Sequence, residues 1–431
     1  MGCCCYHDQL VNIRRELHKN PEEGWSEFTT TAFLVNTLRG YGYEVLLGRK
    51  VVNPDACLGR SMKVVEAGIE RARKNGVSED LLNEMQELTG CCAVLDTGRP
   101  GPVFAVRFDI DCVPVQESDS PDHLPNKLGF ASHNPGFMHA CGHDAHMSMG
   151  LAVAHWIMDN KDKLAGKVKI IFQPAEEGVR GAAAVAASGI LDDVDYFLSS
   201  HVAMLAKSGE LATDLYGFLC TTKYDVTFHG RASHAGVSPQ EGRNALAAAA
   251  NATVQLLGIS RHGGGMTRVN VGQLIAGEGR NVIPSKAVMK LEVRGETMEI
   301  NNYMCEQVTN ICEGIAKSFS VTYDISKMGE AVDLTADREL VDILNESGRE
   351  VGLKVLDKPL NFGGSEDATI LARRVQSHGG KAAFFVWGSD RPSGHHSALF
   401  DINEKDLDKS LELWTHVLPK ILKLSTVYIS G

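Results

Sequence analysis

The stretch VFAVRFDID, residues 103–111, is an almost unbroken apolar run that ends in two aspartates. Such a run suits a strand buried on both faces, with acid at its C-terminal end. Two more stretches share this layout: KVKIIF (167–172) is closed by QPAEEG, and DYFLSSHV (195–202) by His201 and its neighbour. Between the first two, AHMSMGLAVAHWIMD (145–159) has helical spacing. Strand and helix alternation predicts an α/β fold: a mostly parallel sheet with helices on both faces. Polar residues at the strand ends then gather in one crevice, where sheets of this kind bind ligands.

Working outward, LVNIRRELHKN (10–20) reads as an amphipathic opening helix, and Pro21–Leu38 as a second helix after a proline break. Residues 60–89 are rich in Glu, Lys and Arg at helical spacing and read as a solvent-facing helical pair. Near residue 216 the pattern changes. KYDVTFHG (223–230) and VMKLEVRGE (288–296) alternate strictly between apolar and polar, as half-exposed antiparallel strands do. An alanine-rich helix from about Asn244 lies between them. These features predict an inserted α+β lid or dimerisation domain, 216–331. Residues 1–215 and 332–431 then form one catalytic domain, with AAFFVWG (382–388) as a returning strand and a helix after Asn403.

The 431 residues exceed one typical core, which fits two domains. The net charge of −11, from 43 basic and 54 acidic residues, argues against a nucleic-acid partner. No apolar run approaches the roughly 18 residues of a membrane span. Gly2 followed by three cysteines hints at acylation, but Tyr6 stands where that pattern wants Ser or Thr, so a frayed terminus is expected. Eleven cysteines, an odd number without a disulfide framework, point to a reducing cytoplasm.

HACGHDAH (139–146) holds three histidines, a cysteine and an aspartate. Cys141 and His143, two apart before a helix, can point at one ion. Alone they are a weak signal. Glu176 and Glu177 end a buried strand, where paired carboxylates are costly unless positive charge is near. His201 ends the next strand, and His395 and His396 sit in a Gly-rich loop. Taken together, Cys141, His143, Glu177, His201 and one of the tandem histidines supply five ligands. That exceeds one tetrahedral ion and suits a pair of divalent ions. Glu176, beside a ligand, is then the natural general base. The competing reading is a thiol hydrolase with Cys141 as nucleophile; it leaves Glu177 and the tandem histidines unused. His139 reads as helix-entry packing, and His146 as supporting or structural.

RRELHKNPEEGWSEF, VRFDIDCVP, HACGHDAHMSMG, FQPAEEG, GRASHAGVSPQEGRNAL, GRNVIP, GGSED and HHSALFDINE, in this order, resemble the M20 family of metallopeptidases and amidohydrolases. GFLCTTKYDVTF, RVNVGQL, RGETMEINNYM and the helical insertion before residue 95 are similar to its aminobenzoyl-glutamate hydrolase branch, beside indole-acetyl-amino-acid and hippurate hydrolases. The resemblance implies hydrolysis of the amide bond of an N-acyl amino acid, with an acyl-glutamate or acyl-aspartate as the expected small-molecule substrate. It implies two divalent ions, zinc or manganese, on Cys141, His143, Glu177, His201 and His396, with Glu176 as base. It implies that His234 reaches a partner's active site and that Asn281 and Arg294 hold substrate. Asp109, Asp111 and Asp144 are expected to orient imidazoles. A homodimer, or a heterodimer with a related subunit through the inserted domain, follows from the same likeness. So does the alternative of a non-catalytic subunit.

Overall fold

The computed structural model describes residues 4–422. The Gly2–Cys3 start of the acylation pattern lies outside them. Two compact units emerge: residues 1–216, 334–362 and 367–431, and residues 217–333 with 363–366.

The first unit opens with α1 (Cys4–Lys19), α2 (Phe28–Tyr41), β1 (Glu44–Leu46), α3 (Met62–Lys74), α4 (Glu79–Met85) and β2 (Cys91–Asp96). Its middle holds β3 (Val103–Asp109), α5 (Leu124–Leu128), α6 (His143–Asp159), β4 (Lys167–Gln173), α7 (Ala182–Ala186), β5 (Tyr196–Val202), β6 (Glu210–Ala212) and β7 (Leu215–Tyr216). The inserted unit contains β8 (Cys220–His229), α8 (Ala245–Leu257), β9 (Thr267–Ala276), β10 (Lys286–Gly295), α9 (Met298–Ser318) and β11 (Thr322–Ala331). The chain then returns with α10 (Arg338–Glu350), β12 (Lys354–Val355), β13 (Leu360–Asn361), α11 (Ala368–Ser377), β14 (Lys381–Trp387) and α12 (Asp406–Ile421).

The large sheet runs β1-β2-β4-β3-β5-β14-β6-β12. Its centre is parallel, as the apolar runs predict, and β2 and β6 join it antiparallel. Both faces are covered. On β14, Phe385 meets Trp414 of α12 with ring centroids 5.3 Å apart, while the next-door Phe384 meets Phe362 at 5.7 Å. α6 is buried along nearly its whole length, which explains its all-round apolar sequence.

One reading needs correction. The second helix begins at Phe28, not Pro21. Residues 21–27 run beside the segment after β3, with a Glu23–Cys112 bridge and the Cys112 amide donating to the Glu22 carbonyl at 2.9 Å. The Glu22 carboxylate accepts from the Thr30 amide at 2.8 Å, so it caps α2 from outside. α3 and α4 form the pair read over 60–89, yet Val65, Ala72, Leu82 and Met85 bury one face of it.

The second unit is an antiparallel sheet, β11-β8-β10-β9. Val226, Phe228, Met289, Leu291 and Val293 form its apolar face with residues of α8 and α9, the alternation seen in the sequence. The short return 363–366 adds to this unit: the Leu219 amide donates to the Gly364 carbonyl at 2.8 Å, and Ser365 Oγ to the Leu219 carbonyl at 2.7 Å. Among the described residues, no helix is long and apolar enough to cross a membrane.

Candidate metal centre

Cys141 and His143 flank Gly142, whose φ is +88°. A β-carbon there would lie 2.4 Å from Val202 Cγ1, so only glycine lets the chain turn this close to β5. The turn aims both neighbours at one point before α6 begins. Ala175 (φ +53°) precedes Glu176, and His396 itself has φ +61°. Left-handed non-glycine residues of this sort persist only where surroundings hold them, and such sites are commonly functional. Here the holders are visible. The Asp111 carboxylate accepts the Glu176 and Glu177 amides at 2.9 and 3.0 Å, Glu27 accepts the Ala175 amide at 2.8 Å, and the His396 amide donates to the Ala140 carbonyl at 2.7 Å.

The five expected ligands come together in the first unit. Cys141, His143 and His201 place ligand atoms within 4.8 Å of one another, and so do Cys141, Glu177 and His396. The two groups share Cys141. His143, Glu176 and Glu177 form a third such group that bridges them. Together they form a candidate dinuclear metal site.

The donor chemistry fits a cation. His143 Nδ1 donates to the Asp111 carbonyl at 2.8 Å, and His201 Nδ1 to the Val202 carbonyl at 2.8 Å. A carbonyl only accepts, so both rings carry their proton on Nδ1 and turn an Nε2 lone pair inward. His143 Nε2 is buried and has no hydrogen-bond partner among the described residues. Asp109, Glu176 and Glu177 oxygens stand 3.7, 3.9 and 3.9 Å from it, around a gap. His201 Nε2 lies 3.5 Å from Cys141 Sγ. Tetrahedral bonds of about 2.3 Å to sulfur and about 2.1 Å to nitrogen leave two ligand atoms roughly 3.5 Å apart. Electrostatics agrees. Burial opposes charge on His143, yet Asp109, Asp111 and Glu177 outweigh it and push its pKa up to about 10. The pocket therefore calls for positive charge. Burial, with His146 and His395 nearby, holds His201 well down and keeps it neutral.

The supporting aspartates take different parts. Asp109 accepts from His146 Nδ1 at 2.6 Å and from Arg107 Nη1 at 2.8 Å. His146 Nε2 in turn accepts the Val202 amide at 3.0 Å, so both its nitrogens are used and it supports the site without facing it. Asp111 orients His143 through its backbone carbonyl. Asp144 orients no imidazole of the cluster; it binds His18 Nδ1 at 2.8 Å and Arg14 Nε at 2.7 Å. His139 is buried with neither ring nitrogen bonded among the described residues, and burial pushes its pKa down to about 3. His395 sits beside His201 (ring centroids 5.3 Å), with its Nδ1 3.0 Å from Arg391 Nη1. Arg107 was missed by the sequence reading. An arginine inside an apolar strand was the available signal, because such a charge needs buried partners, here Asp109 and Asp367.

His234, Asn281 and Arg294 belong to the second unit. The first two lie side by side: His234 pairs with Val282, and the Ala235 amide donates to the Asn281 carbonyl at 2.9 Å. His234 Nδ1 accepts the Gly236 and Val237 amides at 3.2 and 3.1 Å, which leaves Nε2 as an N–H donor. Arg294 sits on the polar face of β10, but its guanidinium already pairs with Glu292 at 3.0 and 3.3 Å.

The chain has well-defined relatives. The sequence profile of Peptidase family M20/M25/M40 matches residues 105–420. A p-aminobenzoyl-glutamate hydrolase homolog of Haemophilus influenzae is 53% identical over 417 residues, covering 96% of this chain and 99% of that one. The indole-3-acetyl-aspartic acid hydrolase of Enterobacter agglomerans is 41% identical, covering 94% of each. Among solved structures, an aminobenzoyl-glutamate utilization protein from Klebsiella pneumoniae superposes with a TM-score of 0.82 at 35% identity, covering 97% of both chains. A family profile over most of the chain, and a relative alike from end to end, place it in the peptidase family M20/M25/M40, as a metal-dependent amidohydrolase.

Proposed function

We propose that this chain cleaves the amide bond of an aroyl- or acyl-glutamate, of which p-aminobenzoyl-glutamate is the leading example. The observation that carries this reading is the pair of ligand groups sharing Cys141, with Glu176 beside them. The Haemophilus and Klebsiella relatives support the choice of substrate. The Enterobacter relative favours an acyl-aspartate as the second reading.

Cys141, His143, Glu177, His201 and His396 are the residues assigned to hold two divalent ions. Thiolate and imidazole suit zinc, while carboxylate and imidazole also admit manganese. When bound, such ions polarise the amide carbonyl and bring a water's pKa towards neutrality. Glu176 takes the proton of the attacking water on a carboxylate oxygen and later delivers it to the leaving nitrogen as the C–N bond breaks. His234, with its proton on Nε2, is the donor assigned to the developing oxyanion. Asn281 and Arg294 are assigned to the substrate, Arg294 to the carboxylate of the departing amino acid, in competition with Glu292. Residues 216–331 act as the lid and pairing domain. Exposed Val254, Leu257 and Ile275, the last on edge strand β9, support pairing with a second copy or a related subunit. Free Cys57, Cys91, Cys92 and Cys112 support a reducing compartment such as the cytoplasm.

The test is product release from acyl-glutamate, acyl-aspartate and acyl-glycine substrates, with zinc and manganese each supplied after chelation. We expect metal-dependent turnover, fastest with glutamate. Turnover that survives chelation but stops on thiol alkylation would return the chain to the cysteine-nucleophile reading.

A further inference from the structure

The run of charges in RRELHKNPEEGWSEF has no part in the chemistry above, yet its first arginine is among the most deeply buried side chains of the protein. Arg14 is fully buried. Its Nε donates to Asp144 at 2.7 Å, Nη2 to Asp401 at 2.6 Å and Nη1 to Glu404 at 3.2 Å. Asp144 directly follows His143. Asp401 and Glu404 follow His396 on the next stretch of chain. One guanidinium thus spans two segments assigned to the metal site. His18 reinforces the first arm: its ring bonds Asp144 at 2.8 Å and Glu117 at 3.0 Å.

We propose that Arg14 is a positioning residue that fixes the separation between the Cys141–His143 turn and the His396 loop, and so the affinity and geometry of the ion pair. This rests on the ligand assignment of the preceding subsection. The physical case is one of shape. A planar guanidinium offers five donors in a rigid fork and can address three carboxylates at once; an ammonium is a point charge on a flexible stem. Without the fork, Asp401 and Asp144 repel, and the His396 loop keeps its backbone tie to Ala140 but loses its buried anchor. His396 has the more exposed side chain of the five and stands on a left-handed backbone, so its direction depends on where that loop is held. Groups that orient ligands from behind typically change metal affinity by about 10–100-fold when altered.

The test uses the full chain as wild type, Arg14→Lys, Glu404→Gln and Leu344→Ala. The last removes a fully buried side chain on α10 and serves as a control for general destabilisation. Zinc affinity is measured by competition with a chromophoric chelator, and cobalt(II) absorption reads ligand geometry. Melting temperature, kcat and KM for an acyl-glutamate are recorded alongside. We expect Arg14→Lys to bind zinc about 10–100-fold more weakly, with shifted cobalt d–d bands and a fall in kcat larger than any change in KM. Glu404→Gln should move in the same direction by less, and it decides the matter if Arg14→Lys does not fold. Leu344→Ala should melt earlier but keep wild-type zinc affinity and spectrum. Wild-type affinity and bands in Arg14→Lys, or an equal loss in Leu344→Ala, would overturn the proposal. A wild-type protein that binds no pair of ions would instead overturn the ligand assignment itself.

Discussion

Two clusters of histidines and acids meet at the start of α6, one residue apart in the chain. On one side His143 joins Cys141, Glu176, Glu177, His201 and His396. On the other Asp144 joins Arg14, His18, Glu117, Asp401 and Glu404. The residue types are nearly the same and both sets are largely buried. They differ in how charge is answered. In the second cluster the carboxylates meet a guanidinium and an imidazole ring bonded at both nitrogens. Burial disfavours the Arg14 charge, but three carboxylates outweigh it and raise its pKa further. In the first cluster His143 Nε2 looks across a gap at three carboxylate oxygens. One cluster carries its own cation; the other is built to receive one. Composition alone does not mark a metal site, whereas an unanswered lone pair among acids does.

Breaking the first cluster at its base gives the largest effect. Glu176→Ala is expected to keep both ions by elemental analysis and to lose about 10³–10⁴-fold in kcat, near the upper limit for one acid–base group. Full metal content with near-normal turnover would remove Glu176 from the reaction.

The turn that separates the two clusters comes next. Gly142→Ala places a methyl against Val202 and forces a left-handed alanine, an expected loss of roughly 2–4 kcal/mol in urea denaturation. Wild-type stability would show that the turn does not need glycine.

The second cluster is sharpened by pH. Burial pushes the His18 imidazolium down, but its bonds to Asp144 and Glu117 outweigh this and hold its pKa at about 9. A folded pKa raised above the unfolded value near 6.5 stabilises fully below pH 6.5 and is lost as pH rises through 9. The stability difference between wild type and His18→Gln should therefore shrink between pH 6.5 and 9, by on the order of 3 kcal/mol. A difference that stays flat over that range would mean His18 is not held as a cation.

Much of this was legible beforehand because the sheet strands are continuous apolar runs whose ends carry the chemistry. The cluster of Cys141, His143, Glu177, His201 and His396 could be read from those ends. What stayed hidden depends on distant partners. Asp144 and His146 look alike as helpers of a ligand, yet the Val202 amide enlists one for the site while Arg14, 130 residues away, takes the other. The extended run 21–27 is set by Cys112 and not by local propensity. Glu292, two residues from Arg294 on the same face, was readable as its partner, since strand neighbours of that spacing sit side by side.

The place of β14 in the sheet, between β5 and β6, has a consequence for how the protein is made. As the chain grows from its N-terminus, β5 emerges long before residues 381–387 can pair with it, and the whole inserted unit is synthesised in between. The half-built sheet therefore waits with an apolar edge open, and His396 arrives later still. The nascent first unit stays vulnerable to sticking and premature capture until almost the last residues are added, while the inserted unit, contiguous but for 363–366, is able to settle early.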